Sequence, residues 1–183
     1  KNDKEIDELE GRLEREIMRL LALRQPVAQD LRGIISALKV SNDLERIGDL
    51  AKNVCKRLLV MESEPSQTGK ASVERMSRAV RLQLQTVLDA YSTESAEEAI
   101  KVWLHDEEID EHYNSMFREV LTYMMEDPRL ISTGAHLLFI AKNLERIGDH
   151  CTNIAETVHF FISGEELPLT RPKVSEMGRT KEA

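Results

Sequence analysis

The chain has 183 residues, 33 of them acidic and 25 basic, for a net charge of −8. Hydrophobic residues make up 41% and aromatics only 4%, which suits a globular chain with one or two cores. The negative balance argues against nucleic acid or bare anionic lipid as the main partner. No run approaches the roughly 18 apolar residues of a membrane span, and no secretory signal is visible.

Ile6, Leu9, Leu13, Ile17 and Leu20 recur at helical spacing and predict a helix from residue 1 to about 24. Gln25-Pro26 ends it, because proline restricts the residue before it and cannot continue a helix. A second, longer helix is predicted over 27–61, on Val40, Leu44, Ile47, Ala51, Val54 and Leu58. Residues 62–71, with Pro65 and Gly69, read as a loop. A third helix is expected over 72–90, on Val73, Met76, Val80, Leu84, Val87 and Leu88. Thr93 or Ser95 is placed to cap a fourth, ahead of Glu97 and Glu98, that runs to about 125. Asp127-Pro128 closes it, and a fifth spans 130–163, with Gly164 as its stop. The tail from Glu165 reads as extended or disordered.

The chain repeats itself. Leu44-Glu45-Arg46-Ile47-Gly48-Asp49 recurs letter for letter as Leu144-Glu145-Arg146-Ile147-Gly148-Asp149. Glu5-Ile6-Asp7-Glu8 is answered by Glu108-Ile109-Asp110-Glu111. One unit is a helix, a break, and a long helix carrying the acidic motif, with one more helix in front. The leading helix of the second unit is 72–90, and its counterpart in the first would lie before residue 1. The expected architecture is all-α: tandem pseudo-symmetric three-helix bundles, the first lacking its N-terminal helix. The units are 1–64 and 70–164, followed by a tail over 165–183.

Each motif places two carboxylates four residues apart on one helix face: Glu45 with Asp49, and Glu145 with Asp149. Asp3 with Asp7, and Asp106 with Asp110, repeat the spacing on the preceding helices. Two such pairs on neighbouring helices would repel without a cation. All-oxygen ligands suit magnesium, calcium, manganese, iron and, less easily, zinc. Gly48 and Gly148 cost about 1 kcal/mol each against alanine in a helix interior. They clear space beside the carboxylates for a cation or a partner backbone. The competing reading is an ordinary solvated stripe opposite an apolar one.

A di-iron carboxylate enzyme needs two Glu-x-x-His motifs. Only Glu156-x-x-His159 qualifies, and its counterpart is Lys56-x-x-Leu59. His150 lies beside Asp149 and is placed to assist there. No phosphate-binding glycine loop, nucleophile elbow or catalytic triad pattern is present. Cys55 and Cys151 are not repeat equivalents, and both read as buried free thiols of a reducing compartment.

With these residues in view, the chain resembles the PhoU family of bacterial phosphate-transport accessory proteins. The likeness rests on the twin acidic motifs, Asp30-Leu31-Arg32 and the duplicated helical unit, from about Asp3 to Phe161. It implies two three-helix bundles with metal clusters on acidic surface motifs. The metal ligands it implies are Asp3, Asp7, Glu45, Asp49, Asp106, Asp110, Glu145 and Asp149. It also implies a non-enzymatic negative regulator of the phosphate-starvation response. The implied partners are the ATPase of a phosphate ABC transporter and a sensor histidine kinase. The implied setting is cytoplasmic, peripheral to the membrane, and often a homodimer. The alternative is a metal-independent helical adaptor whose acidic faces dock basic partner surfaces.

Overall fold

The computed structural model describes residues 2–61 and 67–168; of residues 2–4, 67 and 68 the backbone alone is described. Six α-helices and one 3-10 turn account for nearly all of it: α1 (Asn2–Arg24), α2 (Ala28–Leu59), α3 (Gln67–Ser92), α4 (Ala96–Leu104), α5 (Asp106–Glu126), the turn Pro128–Leu130, and α6 (Ile131–Ser163).

The breaks have identifiable causes. Gln25 adopts a left-handed φ of 46° before Pro26, which ends α1. Ser95 caps α4 by accepting from the Glu98 N–H at 3.3 Å. Asp127 accepts from the Arg129 N–H at 3.0 Å, seating the proline turn before α6. Gly164, at φ 76°, donates its N–H to the Phe160 carbonyl and closes α6.

Two boundaries differ from the sequence reading. Residues 67–71 are helical and belong to α3, so less of 62–71 is loop than expected; residues 62–66 lie outside the described part. The helix predicted up to 125 is divided at His105. No proline or glycine marks the division. The His105 backbone N–H reaches both the Lys101 and Val102 carbonyls, ending α4. Asp106 then opens α5 from a buried position, its carboxylate accepting from Thr152 Oγ1 at 2.9 Å. A carboxylate at a helix start is favoured by the helix dipole.

α6 is the centre of the molecule, and α2, α3, α4 and α5 all pack on it. Ile140, Ala141, Cys151, Ile154, Ala155 and Val158 of α6 have no exposed surface. Their partners include Met76 and Val87 of α3, Val102 and Trp103 of α4, and Ile109 and Met116 of α5. The second repeat is thus a three-helix bundle of α3, the bent pair α4–α5, and α6.

α2 runs antiparallel to α6. Gly33 meets the Phe161 ring, Asp43 meets His150, and Arg57 lies over Phe139. These pairs bracket Ile47 and Ile147, equivalent positions of the two motifs. The repeats are therefore related about the middle of the repeated stretch itself. α1 packs chiefly on α2, with Ile6 against Gly48. Leu9, Leu20 and Leu23 of α1 stay exposed, so the first repeat contributes a two-helix hairpin rather than a closed bundle among the described residues.

Candidate metal centre

In each repeat the motif glycine faces the isoleucine of the preceding helix. A Cβ on Gly48 would lie 3.3 Å from Ile6 Cδ1, and one on Gly148 would lie 3.1 Å from Ile109 Cδ1. Ile6 and Ile109 are repeat equivalents. The glycines therefore exist to let two helices approach, rather than to clear room for a cation. That approach carries the flanking carboxylates of α1 and α5 towards the motif carboxylates of α2 and α6.

In the second repeat the four predicted residues share one neighbourhood. Asp149 is exposed at the residue level, yet partial desolvation and then the charges of Glu145, Asp106 and Asp110 push its carboxyl above the usual aspartate range, with Lys142 opposing. The Glu145 side chain is only 13% exposed. One of its oxygens takes Lys142 Nζ at 2.6 Å, while Oε2 is buried with no hydrogen-bond partner among the described residues. A buried acceptor left so costs about 1–3 kcal/mol. Asp106 is committed to Thr152, and Asp110 is exposed.

In the first repeat the Glu45 side chain is 18% exposed, with Arg46 Nε 3.4 Å away. Asp49 faces Lys52 at 3.5 Å. Asp7 is exposed on α1; Asp3 lies on the same helix, its side chain outside the described part. The Glu10 carboxyl is pushed up, by desolvation first, then by Glu45 and Glu14, with Arg46 opposing and Asp7 adding. Glu10 belongs to this group although motif matching missed it, because its equivalent in the second repeat is Tyr113. Lys142 was missed too. It stands three residues before Glu145, a spacing that pairs opposite charges on a helix.

The glutamates are thus more covered than a solvated stripe requires, and the donor set is all oxygen, as hard cations need. Among the described residues, no three His, Cys, Asp or Glu side chains stand as they are in a ligating arrangement. Like charges without a cation keep apart, so ligation requires these side chains to move inward.

His150 does not turn towards Asp149. Its Nδ1 bonds Asp43 Oδ1 at 2.8 Å and ties α6 to α2. Glu156 accepts from Trp103 Nε1 at 3.0 Å, while His159 Nδ1 pairs with the Glu165 carbonyl. These two do not converge as a ligand pair. Cys151 is buried, and burial pushes its thiol up to about 12. Cys55 is exposed, against expectation, because α2 presents that face to solvent; both thiols are free.

The Asp149 environment carries a testable consequence. A carboxyl raised in the folded state is destabilised once ionised, so its cost is absent below about pH 3.9 and grows as pH rises through the folded value. In chelator-treated protein, Asp149→Asn is expected to raise the melting temperature at pH 7, with the gain vanishing below pH 4. Thermal melts across that range check it, and a variant less stable than the parent at pH 7 contradicts it.

The fold and site define a class: a duplicated helical-bundle protein with one acidic Glu-x-x-x-Asp motif per repeat, carried on the helices that cross. The PhoU domain family model matches residues 1–58 and again 73–158, and the chain belongs to that family. It is 56% identical over 173 residues to the phosphate-specific transport system accessory protein PhoU homolog of Caulobacter vibrioides, covering 94% of this chain and 75% of that one. The Pseudomonas aeruginosa homolog is 41% identical over 175 residues, covering 93% and 72%. The crystal structure of PhoU from Pseudomonas aeruginosa superposes with a TM-score of 0.85 at 41% identity, over 89% of this chain and 78% of that one. The phosphate transport system regulatory protein PhoU from Streptococcus pneumoniae gives 0.82 at 31% identity, over 91% and 78%. The family is one of accessory and regulatory proteins, not enzymes. Among the described residues, no helix is long and apolar enough to cross a membrane.

Proposed function

We propose that the protein is a metal-binding, non-catalytic negative regulator of the phosphate-starvation response. It links a phosphate ABC transporter, through its ATPase, to a sensor histidine kinase by protein–protein contacts. It acts in the cytoplasm at the inner face of the membrane, as a homodimer of two-repeat chains with units 1–64 and 70–164. The names of the relatives support the phosphate-transport setting. The observation that carries the metal reading is the buried Glu145 Oε2, without a hydrogen-bond partner among the described residues, beside an Asp149 carboxyl that also feels Asp106 and Asp110.

The residues that would hold metal are Glu145, Asp149, Asp106 and Asp110 in the second repeat, and Glu45, Asp49, Asp3 and Asp7 in the first. A bound divalent or trivalent ion such as iron, zinc, manganese, magnesium or calcium supplies positive charge there. The carboxylates of α5 and α6 would then be held together rather than repelling, which stiffens the face that α6 and α5 present to a partner. Lys142 supports a second reading, in which the protein is a metal-independent adaptor. Its ammonium already neutralises Glu145, leaving the remaining acidic surface for basic partner side chains.

A phosphate-starvation reporter in a host lacking its own copy tests whether the motif carboxylates carry the activity. The parent is expected to silence the reporter when phosphate is plentiful. The variant with Glu45, Asp49, Glu145 and Asp149 all changed to alanine is expected to leave it on, at equal protein level. Full silencing by the variant contradicts both readings, since each needs the motif carboxylates; if the variant leaves the reporter on, metal content of the parent decides between them, a metal-free but silencing parent favouring the adaptor. Failure of the parent to silence contradicts the regulatory reading itself.

A further inference from the structure

Glu145, Asp149, Thr152 and Glu156 form one row along α6, at steps of four, three and four residues. Two members of the row tie down the bent pair α4–α5, one on each side of its break at His105. Trp103 Nε1 donates to Glu156 Oε1 at 3.0 Å on the α4 side. Thr152 Oγ1 donates to Asp106 Oδ1 at 2.9 Å on the α5 side. Thr152 and Asp106 are only 1% and 5% exposed, so this second bond forms out of water. A hydrogen bond to a carboxylate is strong in such a place.

The Thr152 hydroxyl has one proton and two acceptors within reach, because the Gly148 carbonyl lies 3.3 Å away. Asp106 also stands between two environments. It is bonded to Thr152, and its charge is felt at Asp149, one turn back along α6. Movement of Asp106 towards Asp149 leaves no donor unpaired, since Thr152 turns to Gly148. The junction that absorbs such a movement is His105, whose backbone N–H is shared between the Lys101 and Val102 carbonyls at 3.1 and 3.2 Å. Hinges are commonly a few residues at the ends of elements. The first repeat is built differently. Lys52 occupies the position of Thr152, and its ammonium faces the motif carboxylate of Asp49 at 3.5 Å.

We propose that Thr152 regulates the second acidic site by holding Asp106 out of it. This rests on the metal reading above and adds what controls the site. With the site loaded, Asp106 leaves Thr152 and joins Asp149. Thr152 then donates to the Gly148 carbonyl, and the angle between α4 and α5 changes at His105. Thr152 is a positioning residue: the affinity of the site depends on the bond given up when Asp106 crosses. Trp103, the chain's one tryptophan, stands two residues before the junction and reports its movement.

The test uses the full chain and manganese(II) alone, with free ion followed by electron paramagnetic resonance and the Trp103 emission maximum followed in parallel. Every protein carries Glu45→Ala and Asp49→Ala, so that the second site is read by itself. The emission maximum of this parent is expected to shift as manganese saturates it. Thr152→Val, which keeps the shape and removes the proton, is expected to bind at least about threefold tighter, because no hydrogen bond is given up. Thr152→Ser should restore the parent's affinity. A merely structural role for Thr152 would make the valine variant bind more weakly. Asp106→Asn, whose amide oxygen still accepts from Thr152, is expected to bind at least about tenfold more weakly and to show no shift at saturation. Three results overturn the proposal and leave the metal reading standing: manganese bound by the parent without a shift, folded Thr152→Val binding no tighter than the parent, or the full shift in Asp106→Asn. Where Thr152→Val fails to fold, the Asp106→Asn comparison decides. No binding by the parent overturns the metal reading at this site, and the proposal with it.

Discussion

Gly148→Leu is expected to destabilise the protein by about 3 kcal/mol, lowering the melting temperature by roughly 6–12 °C. A Cβ on the buried motif glycine of α6 would lie 3.1 Å from Ile109 and 3.4 Å from Gln83. A leucine there must push α5 and α3 away from α6, the helix on which they are assembled. Gly48→Leu is the internal control. Among the described residues, a Cβ there would meet one close neighbour, Ile6 at 3.3 Å, on a helix packed chiefly against α2. The expected cost is about 1 kcal/mol, since α1 can move into solvent. Urea denaturation of both variants measures the difference. Equal costs would mean that the two motifs are equally enclosed, contrary to the packing described.

Ile154→Ala is expected to cost about 3 kcal/mol. Ile154 has no exposed surface at the heart of α6, where helices on several sides keep the space from closing after truncation. Its repeat equivalent, Val54, is only half-buried. Val54→Ala should cost about 1 kcal/mol. Equilibrium unfolding again reads both. A Val54 variant as damaging as the Ile154 one would show that the core is shared evenly between repeats.

Much of this was legible in the sequence because helix faces write themselves as three- and four-residue spacings. Val40, Ile47, Ile140, Ile147 and Ile154 are all in the core as the pattern requires. The duplication was legible because Gly48 and Gly148, with Ile6 and Ile109, solve the same packing problem twice. The pattern could not show which copy is enclosed. Leu58 and Cys55 follow the same period as buried residues of α6, yet are exposed, because α2 is covered on fewer sides.

The break at His105 was hidden for a different reason. It depends on Asp106 being drawn inward by Thr152, 46 residues away, and no local residue announces it. The acidic site was legible as pairs but not as a cluster. Glu10 enters where the second repeat has a tyrosine, Lys142 where the first has Asn42, and matching the copies concealed what each had changed.

The central claim is that the acidic motifs hold metal. Its most direct measurement is elemental analysis of untagged protein purified without chelator, the parent beside the variant with Glu45, Asp49, Glu145 and Asp149 changed to alanine. Metal is expected to co-purify with the parent at one equivalent or more and to be lost from the variant at unchanged helical content. A parent that carries none, and takes none up at micromolar free ion, would contradict it.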